Sequence, residues 1–418
     1  MLLKSLDLRY VGPGTKLQID LKPRMNFLTG DNGLGKTFLL DVAWWALTRS
    51  WTRQTAFPHR GTAGEPSITY QLQIGKKTIT HKSLFDRKME SWSLKKNQAP
   101  VPGMVIYAQV DGGFSVWDPV RNNWPEGSSG NHPQAYHFKV DEIWNGLKDG
   151  DTSLCEGLIR DWASWQLEGG SAFSQLTKVL TRLSPSPQEP IVPGGLTRIS
   201  TRESVKHPTV KMPYHQEVPL VHASAGMRRV LALAYLLVWT WQEHLNAAGL
   251  QGVKPAREII FLIDEVEAHL HPQWQRRIVP ALLDVMVALT DRSDLEVQLL
   301  AATHSPLVLA STETLFNPQI DAIWELDFRN DNVDLHETPW VRYGDANAWL
   351  TSSVFDLKQA RSVEAEEAIT QALDLLGKRS VDPKEVQRID ALLRAALSDI
   401  DRFWVRWSAY AEPILEDQ

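Results

Sequence analysis

Hydrophobic and polar positions alternate over Leu2–Arg9 and Lys16–Leu21, and the apolar ones then run together over Asn26–Thr29. Alternation predicts half-buried strands, and the continuous run predicts a strand covered on both faces. That third strand leads straight into a glycine-rich loop and an apolar helix, Thr37–Leu47. From Ser67 to Leu94 the alternation resumes as a β-meander. Ile68, Tyr70 and Leu72 share one face, Gly75-Lys76-Lys77 makes a turn, and Ile79 lies on the next strand. Met104–Ala108 predicts a short apolar strand ending at Gln109 and an Asp111-Gly112-Gly113 turn.

The pattern loosens between Pro119 and Leu220. A Gly/Ser/Asn-rich loop (Asn122–His132) precedes two expected helices, Ser153–Trp165 and Ala172–Leu183. Pro185, Pro187, Pro190, Pro193, Pro208, Pro213 and Pro219 then argue against a continuous helix or a central strand. Regular order returns with a helix over Ala225–Asn246, a strand over Ile259–Ile263 and a helix over Gln273–Thr290. A strand over Glu296–Thr303 and a helix from Pro306 follow. Strand–helix alternation with near-continuous apolar strands predicts an α/β fold, its parallel or mixed sheet flanked by helices. The end is helical: Asp382-Pro383 is an N-cap/N1 pair, and Val386, Ile389, Leu392, Leu393, Ala396 and Leu397 share a face. The expected organisation is a first part (1–115) containing an antiparallel β subdomain, an inserted irregular and helical lobe (116–220), a second part (221–345) completing the sheet, and a helical segment (346–418).

At 418 residues, 43% hydrophobic and 22% charged, the chain has the composition of a globular protein of more than one lobe. Its longest apolar run, Val230–Trp241, falls short of the roughly 20 residues a membrane span needs. The N-terminus lacks the apolar core of a signal peptide, so a cytoplasmic protein without membrane contact is expected. Cys155 is the sole cysteine, which excludes an intrachain disulfide and a cysteine-clustered zinc site. The net charge of −6 is not that of a general nucleic-acid binder. Locally, however, Arg53, Arg60, Lys76, Lys77, Lys82, Arg87, Lys88, Lys95 and Lys96 meet only Glu65, Asp86 and Glu90. That segment is either a solvated face or a surface for the DNA backbone.

Gly30-Asp31-Asn32-Gly33-Leu34-Gly35-Lys36-Thr37 fits G-x-x-x-x-G-K-[ST] between a strand and a helix. Glycines let the backbone curl so that N–H groups, with that of Phe38 behind them, face phosphates at a helix N-terminus. Lys36 is placed to neutralise the β- and γ-phosphates, and the Thr37 hydroxyl to ligate Mg²⁺, so ATP is the expected ligand. Ile259–Ile263 ends in Asp264-Glu265. There Asp264 can hold the metal and Glu265 can polarise the attacking water, which favours hydrolysis over phosphate transfer to a small molecule. His304, at the end of the next strand, can donate a hydrogen bond to the γ-phosphate.

These residues resemble the ABC-type ATPase heads of the SMC, RecF and OLD families, and most closely the short defence-associated AAA15/AAA21-type ATPases related to OLD and to Septu. The resemblance rests on Gly30–Thr37, Ala223-Ser224-Ala225-Gly226-Met227-Arg228-Arg229, Asp264–Pro272 and Thr303-His304-Ser305, in the family's order. It implies that Ser224, Gly226 and Met227 form a signature motif that caps the γ-phosphate of ATP held by a second copy. Two heads would then sandwich ATP and Mg²⁺. Ala225 departs from the family's first signature glycine. The resemblance also places Gln109 at the metal-sensing glutamine position and Glu267–Pro272 in a dimer-facing loop, so His269 and His271 are not read as zinc ligands. Arg228 and Arg229 are left between phosphate contact and pairing with acids, and Tyr10 between stacking on a base and simple half-burial.

Beyond His304, Asp327, Asp331 and Asp334 fall in a polar turn, and no nuclease site is expected. Phe403, Trp404, Trp407 and Tyr410 either pack on the head or dock a partner. The implied function is an ATPase that senses for, or regulates, a separately encoded effector such as a nuclease in antiphage defence. The alternatives are a RecF-like DNA clamp using Arg53–Lys96 and a scaffold that holds ATP with little turnover.

Overall fold

The computed structural model describes residues 1–61, 64–93, 101–123, 134–290, 295–378 and 381–416. The end of the expected meander at Leu94, the basic residues Lys95 and Lys96, and most of the Asn122–His132 loop lie outside the described residues.

The chain opens with β1 (Leu2–Arg9) and β2 (Lys16–Asp20), whose alternation buries Leu3, Leu6, Leu8, Leu17 and Ile19. β3 (Met25–Gly30) is buried on both faces and runs through the phosphate loop into α1 (Lys36–Thr48). Trp44 and Trp45 of α1 are buried, each contributing about 4–6 kcal/mol of transfer free energy before entropy is counted. Much of the tryptophan excess serves this purpose: Trp92, Trp117, Trp162, Trp239 and Trp324 are also core residues. β4 (Ser67–Ile74), β5 (Lys77–Asp86) and β6 (Ser91–Trp92) complete an antiparallel sheet of order β2-β1-β4-β5-β6.

β7 (Met104–Ala108) enters the main sheet, followed by β8 (Phe114–Trp117) and β9 (Tyr136–Phe138). β8 straddles the expected boundary at 115/116, and β9 lies in what the sequence suggested was an inserted lobe. Both are short and pair antiparallel at one end of the main sheet, because the turn after Gln109 sends the chain back along β7. α2 (Val140–Asn145) and the hairpin β10 (Leu147–Asp149)/β11 (Thr152–Cys155) follow. The expected helix at Ser153 therefore begins later, as α3 (Leu158–Glu168) after Gly157, and α4 (Ser171–Arg182) comes next. The proline-rich stretch is a second difference: it forms a small antiparallel sheet of β12 (Val192–Thr197), β13 (His207–Lys211) and β14 (Glu217–Pro219). The pairing between Pro193 and Leu196 is bulged, so the sheet absorbs residues that cannot donate.

α5 (Ala225–Gln251) is capped by Ser224 and ends at Gly252, which has φ 65. β15 (Glu258–Ile263), α6 (Pro272–Gln275), α7 (Ile278–Thr290), β16 (Glu296–Ala302) and α8 (Pro306–Thr312) follow, so the single helix expected over Gln273–Thr290 is two. A hairpin not anticipated from the pattern, β17 (Asp321–Arg329)/β18 (Asn332–Thr338), closes the sheet. Asp327 and Asp334 pair across it, and only Asp331 lies in the turn. The main sheet has order β18-β17-β3-β16-β15-β7-β8-β9. It is parallel from β17 to β7 and antiparallel at both ends.

A buried pair joins β8 to the far end of α5. His244 Nε2 accepts from the Ala256 N–H at 2.8 Å, so Nδ1 carries the proton it donates to Asp118 Oδ1 at 2.9 Å. The two side chains are 0% and 2% exposed. Asp118 Oδ1 also accepts from the Val120 N–H at 2.8 Å, so His244→Leu removes one of the carboxylate's donors and the acceptor of the Ala256 N–H. It is expected to destabilise the protein by about 1–3 kcal/mol in urea melts.

Residues Met1–Gly344 form one compact unit and Asp345–Gln418 a second. The second holds α9 (Ala346–Leu350), α10 (Val363–Leu376), α11 (Pro383–Ala396) and α12 (Phe403–Glu416). Its core joins Ile369, Leu375, Val386, Ile389, Leu393 and Trp407. The C-terminal aromatics are thus packed into their own helices: Trp407 donates to Asp390 at 3.0 Å and Tyr410 to the Leu375 carbonyl at 3.1 Å. No helix among the described residues is long and apolar enough to cross a membrane.

Candidate active site

The parallel strands bring their carboxyl ends to one edge of the sheet. Ile263 pairs with Ala108 and with Ala301, and Ala302 with Leu28. Asp264, Gln109, Thr303 and the start of the phosphate loop therefore meet at one level, where open α/β sheets bind ligands.

Two glycines of the loop are sterically required. Gly30 and Gly35 have φ 119 and 101, and a Cβ there would lie 2.1 Å from the Leu326 carbonyl oxygen and 2.5 Å from Pro13 Cγ. Asp31, Asn32 and Gly33 form the exposed crown, while Leu34 and Phe38 pack against the core beneath. The Phe38 ring lies against Gly12, so the turn between β1 and β2 braces the loop from behind. Tyr10, at the end of β1, has its ring against Gly64. The first helical bond of α1 is donated by Leu39 to the Gly35 carbonyl, which leaves the N–H groups of Lys36, Thr37 and Phe38 for an anion.

Lys36 Nζ donates to the carbonyls of Gly30 and Asp31, both at 2.8 Å. Burial holds its pKa below the usual lysine value, against the opposing charges of Asp264, Asp31, Glu265 and Glu267. Thr37 Oγ1 donates to Asp264 Oδ2 at 2.8 Å, joining α1 to the end of β15. Asp264 is 1% exposed, and burial raises its pKa; the Thr37 hydrogen bond and the charge of Arg53 oppose that rise. A buried carboxylate beside a threonine hydroxyl is the oxygen-donor pair that Mg²⁺ prefers, and a divalent cation there would offset the burial that raises Asp264.

Behind this pair lies a set of residues the motifs did not identify. Asp41, one helical turn beyond Thr37, accepts from Tyr107 at 3.0 Å and Thr52 at 3.1 Å, with the charge of Arg53 nearby. Its spacing from Thr37 on α1 was the available signal; its partners on β7 and after α1 were not readable.

Glu265 follows Asp264 with φ 49, a left-handed conformation uncommon for a side-chain-bearing residue. Arg229 steadies that turn, donating to the carbonyls of Asp264 and Glu265 at 3.4 Å each and of Val110 at 3.2 Å. Arg229 therefore ties α5 to β15 and to the turn after Gln109, whereas Arg228 stacks on Trp144 at 4.6 Å. His304 follows β16 half-buried; burial and the Lys36 charge lower its pKa, which favours the neutral ring. Gln109 stands beside Asp264, but its amide donates to Ser115 Oγ at 2.9 Å, which is bonded in turn to His137.

Ser224 is exposed at the start of α5, where its hydroxyl accepts from the Met227 N–H at 3.4 Å. Gly226 abuts the turn beyond Glu265: a Cβ on it would stand 2.6 Å from the His269 carbonyl oxygen. Lys36, Thr37, Asp264, Glu265 and His304 thus converge on one edge. Ser224, Gly226 and Met227 sit at a helix N-terminus facing solvent, and His271 caps α6.

A glycine loop closed on a buried strand-end aspartate, with an acid next in line, is the arrangement of a P-loop ATPase. The chain belongs to the family described as "AAA domain, putative AbiEii toxin, Type IV TA system", whose model matches residues 25–310. Among curated relatives, the Septu protein PtuA of Bacillus thuringiensis is 21% identical over 401 residues, 93% of this chain and 91% of that protein. The Retron Vc95 probable ATPase of Vibrio cholerae serotype O1 biovar El Tor is 33% identical over 172 residues, 39% of this chain and 29% of that protein. Among solved structures, the SmcHead bound to the C-winged helix domain of ScpA aligns with a TM-score of 0.45 at 13% identity. That alignment covers 81% of this chain and 98% of that one.

Proposed function

We propose that this protein hydrolyses ATP to ADP and phosphate in a composite site made by two copies. The observation that carries the chemistry is the Thr37–Asp264 hydrogen bond with Lys36 and Glu265 beside it. Thr37 and Asp264 would hold Mg²⁺, whose charge stabilises the developing negative charge on the phosphates when bound. The loop N–H groups and Lys36 bind the phosphate chain. Glu265 orients a water and takes its proton as oxygen attacks the γ-phosphorus, and His304 donates to a γ-phosphate oxygen. The exposed Ser224 and the N-terminus of α5 supply further donors to ATP held by a second copy.

A test follows from the two-copy geometry. Lys36→Met spoils the loop and Ser224→Arg spoils the signature, so each alone is expected to be inactive. An equimolar mixture should regain about a quarter of wild-type turnover, because half the dimers are mixed and each holds one complete site. Ser224→Arg turning over like wild type, or a mixture as inactive as its parents, rejects the composite site.

The likeness to a Septu protein over nearly the whole chain, and to a retron ATPase over part of it, supports a role in antiphage defence. In that role ATP-driven closure would govern a separately encoded effector. The DNA-clamp reading draws less support. Lys76 and Lys77 lie at one end of β5 and Arg87 and Lys88 at the other, about 30 Å apart, with Lys82 paired to Glu65 at 3.7 Å. These cations are spread along β5 rather than gathered in one cluster.

A further inference from the structure

Glu267 lies two residues beyond Glu265, and both of its carboxylate oxygens are engaged within the site. One oxygen accepts from the Thr303 hydroxyl at 2.7 Å and the other from the His304 backbone N–H at 2.5 Å. Thr303 Oγ1 accepts in turn from the Ser305 N–H at 3.1 Å, and Ser305 caps α8. Thr303 is 0% exposed, so the carboxylate is anchored on a rigid strand end. We propose that Glu267 is a positioning residue for hydrolysis: it clamps the turn after β16 to the turn after β15 and thereby fixes where the His304 ring meets the γ-phosphate. This rests on the ATPase reading above.

The geometry explains why a carboxylate occupies this position. Two donors from successive residues approach it, and a short acceptor with two oxygens satisfies both at once. The turn after Asp264 carries Glu265 at φ 49 and is held on its other side by Arg229. Glu267 thus completes a bracket: Arg229 fixes the turn to α5, and Glu267 fixes it to β16. Without the clamp the His304 main chain loses its acceptor and the ring is free to shift. A misplacement of about 1 Å at such a group costs on the order of 100-fold in rate.

Glutamine separates positioning from charge. Its carbonyl oxygen can accept from the His304 N–H, and its amide can donate to Thr303 Oγ1 once that hydroxyl rotates, so Glu267→Gln keeps the clamp without the charge. The test is steady-state ATP hydrolysis and thermal melting of Glu267→Ala, Glu267→Gln, His304→Ala and the Glu267→Ala/His304→Ala double variant. Glu267→Ala is expected to lose roughly 10- to 100-fold in kcat with KM changed less than about threefold. Glu267→Gln should recover most of that loss, and the double variant should be no slower than His304→Ala alone. Should Glu267→Ala fail to fold, Glu267→Gln decides by itself: near-wild-type kcat supports the clamp, and a loss as large as that of His304→Ala overturns it. Unchanged kcat in Glu267→Ala, or losses that multiply in the double variant, also overturn it. If instead wild type and Lys36→Met release phosphate equally, the ATPase reading itself has failed.

Discussion

Glu265→Gln is expected to lower ATP turnover by at least about 100-fold while leaving ATP affinity within a few-fold of wild type. Glutamine matches the shape of glutamate but cannot take a proton, and Arg229 holds this turn by backbone carbonyls, which the substitution leaves in place. The charge change also favours binding. Removing the Glu265 charge takes a carboxylate away from beside the negative phosphates of the nucleotide, which eases their approach. Phosphate release, measured beside titration with a fluorescent ATP analogue, reads the two effects separately. Turnover within threefold of wild type would mean that another group activates the water. Equal turnover and equal biological phenotype in both proteins would favour the scaffold that holds ATP.

Lys36→Met is expected to weaken ATP binding on the order of 100-fold with little change in the stability of the free protein. Lys36 is 6% exposed, and its bonds go to two loop carbonyls, with no carboxylate in contact. Burial of the ammonium, which lowers its pKa, opposes what those bonds contribute. Methionine fills similar space without the charge. The melting temperature without nucleotide should therefore move by only a few degrees. The stabilisation of about 2.7 kcal/mol that ATP at 100 times its Kd gives the wild type should fall to about 0.4 kcal/mol at the same concentration. A large drop in melting temperature without nucleotide would show that the lysine's main work is structural.

How much could be seen beforehand depended on how local each feature is. β1, β3, β7, β15 and β16 were legible because each is an apolar or alternating run, and the loop Gly30–Thr37 because its chemistry lies within eight consecutive residues. β12–β14 were hidden by Pro193, Pro208 and Pro219, which read as strand breakers but sit in a short, bulged sheet. β8 and β9 were hidden because they are short strands separated by a long connection. In the site, Asp264 and Glu265 declared themselves at a strand end. The grip of Arg229 on Val110 joins residues 119 apart in sequence, and that of Tyr107 on Asp41 residues 66 apart. No spacing rule reaches such pairs; only the register of the parallel strands does. The Gln109 assignment shows the converse: position at a strand end was readable, but its bond to Ser115 depends on β8 folding back.

The most direct test of ATP-gated pairing is native mass analysis of Glu265→Gln with and without ATP and Mg²⁺, repeated with Ser224→Arg added. The account predicts that Glu265→Gln shifts to a nucleotide-loaded dimer or a multiple of it only when both ATP and Mg²⁺ are present, and that Ser224→Arg abolishes the shift while ATP still binds. An assembly state that ignores ATP, or a dimer that survives Ser224→Arg unchanged, would contradict it.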